Sequence, residues 1–336
     1  MIGPHPAVAQ VRSAVRPGLR TSARPVLVAV SGGADSLALA AAIAFEAPRA
    51  GVPVGAVTVD HGLQPGSADR AGATAALLRD LELDPVVVVG VDVGTGGGPE
   101  GAARTARYAA LTAEAATHGA RVALGHTLDD QAETVLLGLG RGSGPRSVAG
   151  MVVDRPPFWR PLLGVRRATT RAACTALGLP VWDDPWNTDP AYRRARLRAE
   201  ELPLLEDVLG GGVAPALART ADLLREDLDA LDALAAAELA RLAGPAGLPA
   251  RDLAVLPAAL RRRVLRGWLR DGGVPDLQAV HLGAVDALVS AWRGQGPVAL
   301  PGSAEALRAS GRLVLRPAGS PGGRAASAPD PEEQPP

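Results

Sequence analysis

The chain has 336 residues, room for two domains at ~150 residues each, and its 47% hydrophobic and 21% charged residues argue against a disordered chain. Lysine is absent, so all 35 basic residues are Arg; they balance 35 Asp plus Glu, and a Walker A phosphate loop, which needs its Lys, is excluded. Cys174 is the only cysteine, which rules out an intrachain disulfide or CxxC ligation of zinc or iron–sulfur, and no apolar run approaches the ~20 residues of a membrane span.

Residues 1–24 lack the compact apolar run of a signal peptide and are expected to form an N-terminal extension of a cytoplasmic, membrane-free protein. From there short Val-rich runs alternate with Ala- and Leu-rich helical stretches. The runs Val26–Val30, Val54–Val59, Pro85–Val91 and Arg121–Gly125 do not alternate in polarity, as expected of parallel strands covered on both faces. Between and after them lie helical stretches over Ser36–Glu46, Ser67–Leu81, Gly101–Thr117 and Asp130–Leu139. The pattern predicts a doubly wound, mostly parallel, Rossmann-like α/β sheet.

Between Arg141 and Arg198 the texture turns to Pro, Trp and Arg, with eleven Arg against four Asp. This local excess is hidden in a neutral total. The boundaries read as an α/β domain over 25–212, a helical linker over 213–246, a small α+β domain over 247–317, and a disordered tail over 318–336.

Ligands of an open α/β sheet bind at the carboxyl edge of its strands. Three polar clusters follow predicted strands here: Ser31-Gly32-Gly33-Ala34-Asp35-Ser36, Asp60-His61-Gly62, and His126 with Asp129-Asp130-Gln131-Ala132-Glu133-Thr134. In the first, paired glycines allow close backbone approach and the following helix presents free N–H groups, a combination suited to a pyrophosphate. An ordinary capped turn is the alternative.

The string SGGADS after VLVAV resembles the PP-loop of the N-type ATP pyrophosphatases. VDHGLQPGS, EGAARTARY, GHTLDDQAET, RGSG, WRPLL, DPWNTDPAYRRARLR and GPVALPG then follow in the order of the tRNA(Ile)-lysidine synthase family. The resemblance covers roughly residues 25–316. It implies an ATP-dependent C–N ligase that joins L-lysine to C2 of the wobble cytidine of the CAU-anticodon tRNA(Ile), through an adenylated cytidine, releasing AMP and pyrophosphate.

By the same resemblance Ser31, Gly32, Gly33, Ala34, Asp35 and Ser36 cradle ATP and Asp60 contacts the adenosine, capping a turn being the alternative for Asp60 and His61. Asp35 is expected to hold Mg²⁺ or the lysine amine. His126 faces the α-phosphate, with a buried structural histidine as the alternative. Glu133 receives the ε-amine, aided by Asp130; favourable charge at a helix start explains one of these acids but not both. Arg104 lies near the activated base or phosphate, while Arg107 reads equally as a solvated basic face.

Arg141, Arg193, Arg194 and Arg198 are the expected tRNA contacts, with Trp159, Trp182 and Trp186 as candidates to stack on splayed bases or, alternatively, to fill the core. Arg261, Arg262, Arg263 and Arg266 read either as a grip on the tRNA body or as a solvated face. Two positions depart from the family pattern: Ala195 replaces an Asn, and Trp186 replaces a small hydroxyl residue. A homodimer is compatible with this reading. A cytidine thiolase of the same superfamily is the nearest rival, disfavoured by the single cysteine; a non-catalytic RNA-binding relative would have little use for the carboxylates.

Overall fold

In the computed structural model, residues 3–94, 98–142, 144–187, 189 and 193–318 are described. The expected tail over 318–336 lies outside them except for Ala318. Residues 1–224 and 225–336 form two compact units.

The N-terminal segment is not an extension. Ala7, Val8, Val11, Val15 and Leu19 recur at helical spacing, and this apolar face of α1 (Pro6–Arg20) is buried in the main core. The absence of a signal-peptide run says nothing of that period. The Nδ1 of His5 caps the helix by accepting from the Ala7 N–H at 3.2 Å.

The first unit then runs β1 (Val26–Ala29), α2 (Ala34–Ala50), β2 (Val54–Asp60), α3 (Ser67–Asp80), β3 (Val86–Gly90), α4 (Gly98–Thr117), β4 (Arg121–Leu124) and α5 (Leu128–Arg141). β1, β2, β3 and β4 pair in parallel, with Val26 in register with both Val54 and Arg121. The predicted sheet is therefore present. Its first four strands lie in the order β3-β2-β1-β4, which places β1 between β2 and β4, so the loops after all three strands share one rim.

The Pro- and Trp-rich stretch holds more regular structure than its texture predicts. After α6 (Pro145–Val148), β5 (Asp154–Arg155) and β6 (Phe158–Trp159) extend the sheet, β6 running parallel to β4. α7 (Arg167–Leu177) buries Thr170, Ala173 and Cys174 and packs against α1 and α2. Trp159 is core: a Cβ on Gly18 would lie 2.2 Å from its ring, so it is not a platform for bases. α8 (Arg193–Arg196), a π-helical turn (Leu197–Glu201), α9 (Leu202–Val208) and α10 (Val213–Leu242) follow, and the division between units falls within α10 rather than at its ends.

In the second unit β7 (Leu248–Pro249), α11 (Ala250–Ala254), α12 (Ala258–Asp271), α13 (Ala279–Ser290), β8 (Val298–Leu300), β9 (Ala304–Ala309) and β10 (Arg312–Pro317) surround their own core. The strands form an antiparallel sheet in the order β7-β10-β9-β8. The arginine run of α12 is largely committed inside this unit. Arg261 and Arg262 pair with buried Asp286 at 2.6 and 3.0 Å, and Arg263 pairs with Asp232 at 2.8 Å. Arg261 is therefore not a solvated face, whereas Arg262 keeps 56% of its side chain exposed.

Candidate active site

The phosphate loop is shaped by its glycines and hydroxyls. Gly32 has φ +85°, a left-handed conformation that favours glycine. The Ser36 hydroxyl donates to the Gly33 carbonyl at 2.9 Å and accepts from the Ser31 N–H at 3.2 Å, closing the loop on itself. α2 starts after Gly33 without a side-chain cap, leaving the positive end of the helix toward the loop. The end of β4 crosses close by: a Cβ on Gly125 would lie 3.0 Å from the Asp35 carbonyl carbon and the Ser36 nitrogen. The Gly32 carbonyl also accepts from the Trp182 N–H at 3.0 Å, and Gln64 donates to Asp184 at 3.1 Å. Residues 182–184 thus tie the first loop to the loop after β2.

Asp35, in the first turn of α2, accepts from the Thr170 hydroxyl and from Arg167 Nε at 3.3 Å. Burial lifts its carboxyl above the ordinary range, more than these two donors lower it. Arg167 continues across the site, its Nη2 lying 2.6 Å from Asp130 and its Nη1 3.3 Å from Glu133. Burial disfavours the Arg167 charge, yet the surrounding carboxylates hold its pKa above the usual arginine value.

α5 supplies the other acids. Thr127 and Asp130 form a reciprocal capping box, the Asp130 carboxylate accepting from the Thr127 N–H at 2.7 Å and its hydroxyl at 2.8 Å. Asp130 is therefore a helix cap and an ion-pair partner together. Burial favours its neutral form, but Arg167 and the Thr127 donors outweigh this and keep its pKa below the usual range. Asp129 pairs with Arg166 at 3.1 Å and accepts from the first N–H of α7 at 2.7 Å. Gln131 is structural, its amide exchanging hydrogen bonds with the Met151 backbone at 2.7 and 3.0 Å.

Glu133 is fully buried and receives two guanidiniums, that of Arg167 and that of Arg198 in a fork at 2.9 and 3.3 Å. Arg198 was expected among the tRNA contacts; the fold turns it into the carboxylate cluster instead, because the π-helical turn brings it back over α5. Arg193 is exposed and Arg194 half-buried on α8, and Arg141 is exposed at the end of α5.

A positively charged sector adjoins the carboxylates. His126 is half-buried and its Nδ1 has no partner among the described residues. Burial, reinforced by Arg107, Arg160 and Arg104 against the opposing pull of Asp130, pushes its pKa down to about 3. His61, likewise with an unpartnered Nδ1, is lowered by burial and by Arg107. Arg104 donates to the Tyr108 hydroxyl at 3.3 Å and lies over its ring, and Arg107 is close enough to Arg194 to feel its charge. Arg107 is thus a half-buried member of this sector rather than a solvated face. Asp60 caps its own turn, accepting from the Gly62 N–H at 3.0 Å.

Arg167, Thr170 and Arg160 were not singled out from the sequence. Their signal was weak: Arg167 and Thr170 lie outside the strings quoted above, and Arg160 lies within WRPLL, which follows a strand too short to be read from the sequence. A cavity of about 290 Å³ lined by Arg16, Arg20, Phe45, Glu46 and Arg49 lies at the far end of α2, away from these groups.

Residues 5–205 match the PP-loop domain family and residues 248–314 match the TilS substrate binding domain. The chain is 54% identical over 351 residues to a tRNA(Ile)-lysidine synthase of Streptomyces coelicolor, covering 94% of this chain and 99% of that protein. It is 55% identical over 321 residues to the protein of the same description from Thermobifida fusca, with equal coverage. Among solved structures it is similar to the U34-tRNA thiolase NcsA of Methanococcus maripaludis, described with its 4Fe-4S cluster, at TM-score 0.54 and 18% identity over 65% of this chain and 79% of that one. That likeness is one of fold.

Proposed function

The chain belongs to the tRNA(Ile)-lysidine synthase family, and from that premise we propose that its sheet-edge site joins free L-lysine to C2 of the wobble cytidine of CAU-anticodon tRNA(Ile) at the expense of ATP. The observation that carries this reading is the single guanidinium of Arg167 linking Asp35 of the phosphate loop to Asp130 and Glu133.

The reaction has two steps. The cytidine C2 oxygen attacks the α-phosphorus, the bond to the β-phosphate bridge breaks, and pyrophosphate leaves. The lysine amine, having lost a proton, then forms the C2–N bond while the C2–O bond breaks and AMP departs with that oxygen.

Ser31, Gly32, Gly33, Ala34 and Ser36 cradle the phosphates through backbone N–H groups and hydroxyls. His126, held neutral, and Arg104 face the phosphate and the activated base, and Asp60 orients the adenosine. Glu133 and Asp130 bind the lysine ammonium and assist its deprotonation. Arg141, Arg193 and Arg194 contact the tRNA backbone. Arg198 passes from that group to the carboxylates.

Mg²⁺ fits Asp35, a carboxylate beside a phosphate loop, because this ion is commonly held by one or two carboxylates together with substrate phosphates. When bound it would offset phosphate charge. Among the described residues no helix is long and apolar enough to cross a membrane. The reaction is assigned to the cytoplasm, where its tRNA substrate is found, and a homodimer is compatible with it.

The test incubates the protein with ATP, L-lysine and CAU-anticodon tRNA(Ile) and follows AMP, pyrophosphate and lysine incorporation. Lysine-dependent AMP formation is expected. Binding of the tRNA without turnover would instead support a non-catalytic RNA-binding protein.

A further inference from the structure

Each nitrogen of the Arg167 guanidinium serves a different carboxylate: Nε meets Asp35 at 3.3 Å, Nη2 meets Asp130 at 2.6 Å and Nη1 meets Glu133 at 3.3 Å. Three carboxylates so close repel one another, and without a shared cation they would separate or take up protons. The planar guanidinium spreads its donors over three nitrogens in a fixed plane, whereas the three N–H bonds of a lysine ammonium all leave one atom and cover a smaller span.

The fork is itself anchored. Arg167 is the first residue of α7, its N–H donates to Asp129 at 2.7 Å, and Cys174 on the same helix is buried in the core. Arg198, the second guanidinium on Glu133, is about one-third exposed and comes from the turn after α8.

We propose that Arg167 is the positioning residue of the amine site, holding Glu133 and Asp130 in the arrangement that receives the lysine ammonium and keeping that arrangement aligned with Asp35. The assignment rests on the ligase reading above. Arg167 touches no reacting atom. Its loss therefore weakens lysine binding, while Asp35 keeps its bond from the Thr170 hydroxyl and the first step continues.

The test compares wild type, Arg167→Lys, Arg167→Gln and Thr170→Val in two assays: tRNA-dependent ATP–pyrophosphate exchange without lysine, and lysine incorporation at varied lysine. For Arg167→Lys the KM for lysine should rise at least about tenfold, as for a lost charge-assisted contact, a larger factor than any accompanying fall in exchange. Arg167→Gln should be weaker still for lysine. Thr170→Val should reverse the pattern, lowering exchange and sparing the KM for lysine.

A KM for lysine within about twofold of wild type in a folded Arg167→Lys protein would overturn the proposal, as would equal rises in the KM for lysine and for ATP. Failure of both Arg167 variants to fold, judged by circular dichroism and melting, would assign the residue to the fold and overturn it too. If the wild-type protein itself forms no lysine-dependent AMP, it is the ligase reading that fails.

Discussion

The carboxylates of Asp35 and Glu133, one at the start of α2 and the other on α5, accept hydrogen bonds from the same guanidinium at 3.3 Å each. The phosphate loop and the proposed amine site are therefore one electrostatic unit. Asp35→Ala should lower tRNA-dependent pyrophosphate release at least about a hundredfold, the scale of removing one preorganised group at a charged transition state. The tRNA Kd should stay within roughly twofold, because Asp35 makes no contact with backbone phosphate in this reading. Retained turnover in a folded Asp35→Ala protein would contradict the assignment.

His126 should make stability depend on pH. Its pKa is about 3 in the folded protein, against 6.5 for an unperturbed imidazole. The unfolded chain therefore takes up a proton that the folded one refuses. This contribution is complete above the unfolded value and is lost as pH falls from there toward the folded one. The melting temperature of wild type should drop more steeply than that of His126→Gln between about pH 7 and about pH 4. Parallel profiles for the two proteins would remove the argument.

Arg194 on α8 lies within electrostatic reach of Arg107 and extends the positive sector beyond the carboxylates. Arg194→Ala should weaken tRNA binding and reduce the slope of log K against log salt by about one phosphate equivalent. Filter binding at several salt concentrations measures this. An unaltered slope would move the RNA contact to another surface.

In the second unit, buried Asp286 holds both Arg261 and Arg262. Asp286→Ala leaves Arg261 buried without its partner, a change expected to cost about 3–5 kcal/mol in urea denaturation. Asp286→Asn retains an acceptor and should cost less. A loss below about 1 kcal/mol for Asp286→Ala would show that Arg261 finds water or another acceptor.

Short-range order made several features legible. Val26–Val30 and Val54–Val59 read as covered strands because parallel strands need apolar side chains on both faces, and both strands are present. SGGADS read as a phosphate loop because its glycines and hydroxyls act on their own neighbours. The period of α1 is carried by Val8, Val11, Val15 and Leu19, a signal on which the absence of an apolar targeting run has no bearing. β5 and β6 are two residues each, too short to carry any period.

The string around 126–134 announced its acids, but not what each would touch. Asp130 caps its own helix, a contact over three residues that the Thr127–Asp130 spacing encodes. The guanidiniums on Glu133 come from residues 167 and 198, and no motif specifies which of eleven arginines in that stretch would turn inward. Chain order alone was enough for the strands, the loop and the carboxylates, because each is set by adjacent residues. Their charge partners were decided only when α7 packed on α2 and the turn after α8 returned over α5. Ion pairing in a buried site depends on distances between elements remote in the chain, and such distances exist only once the core has formed.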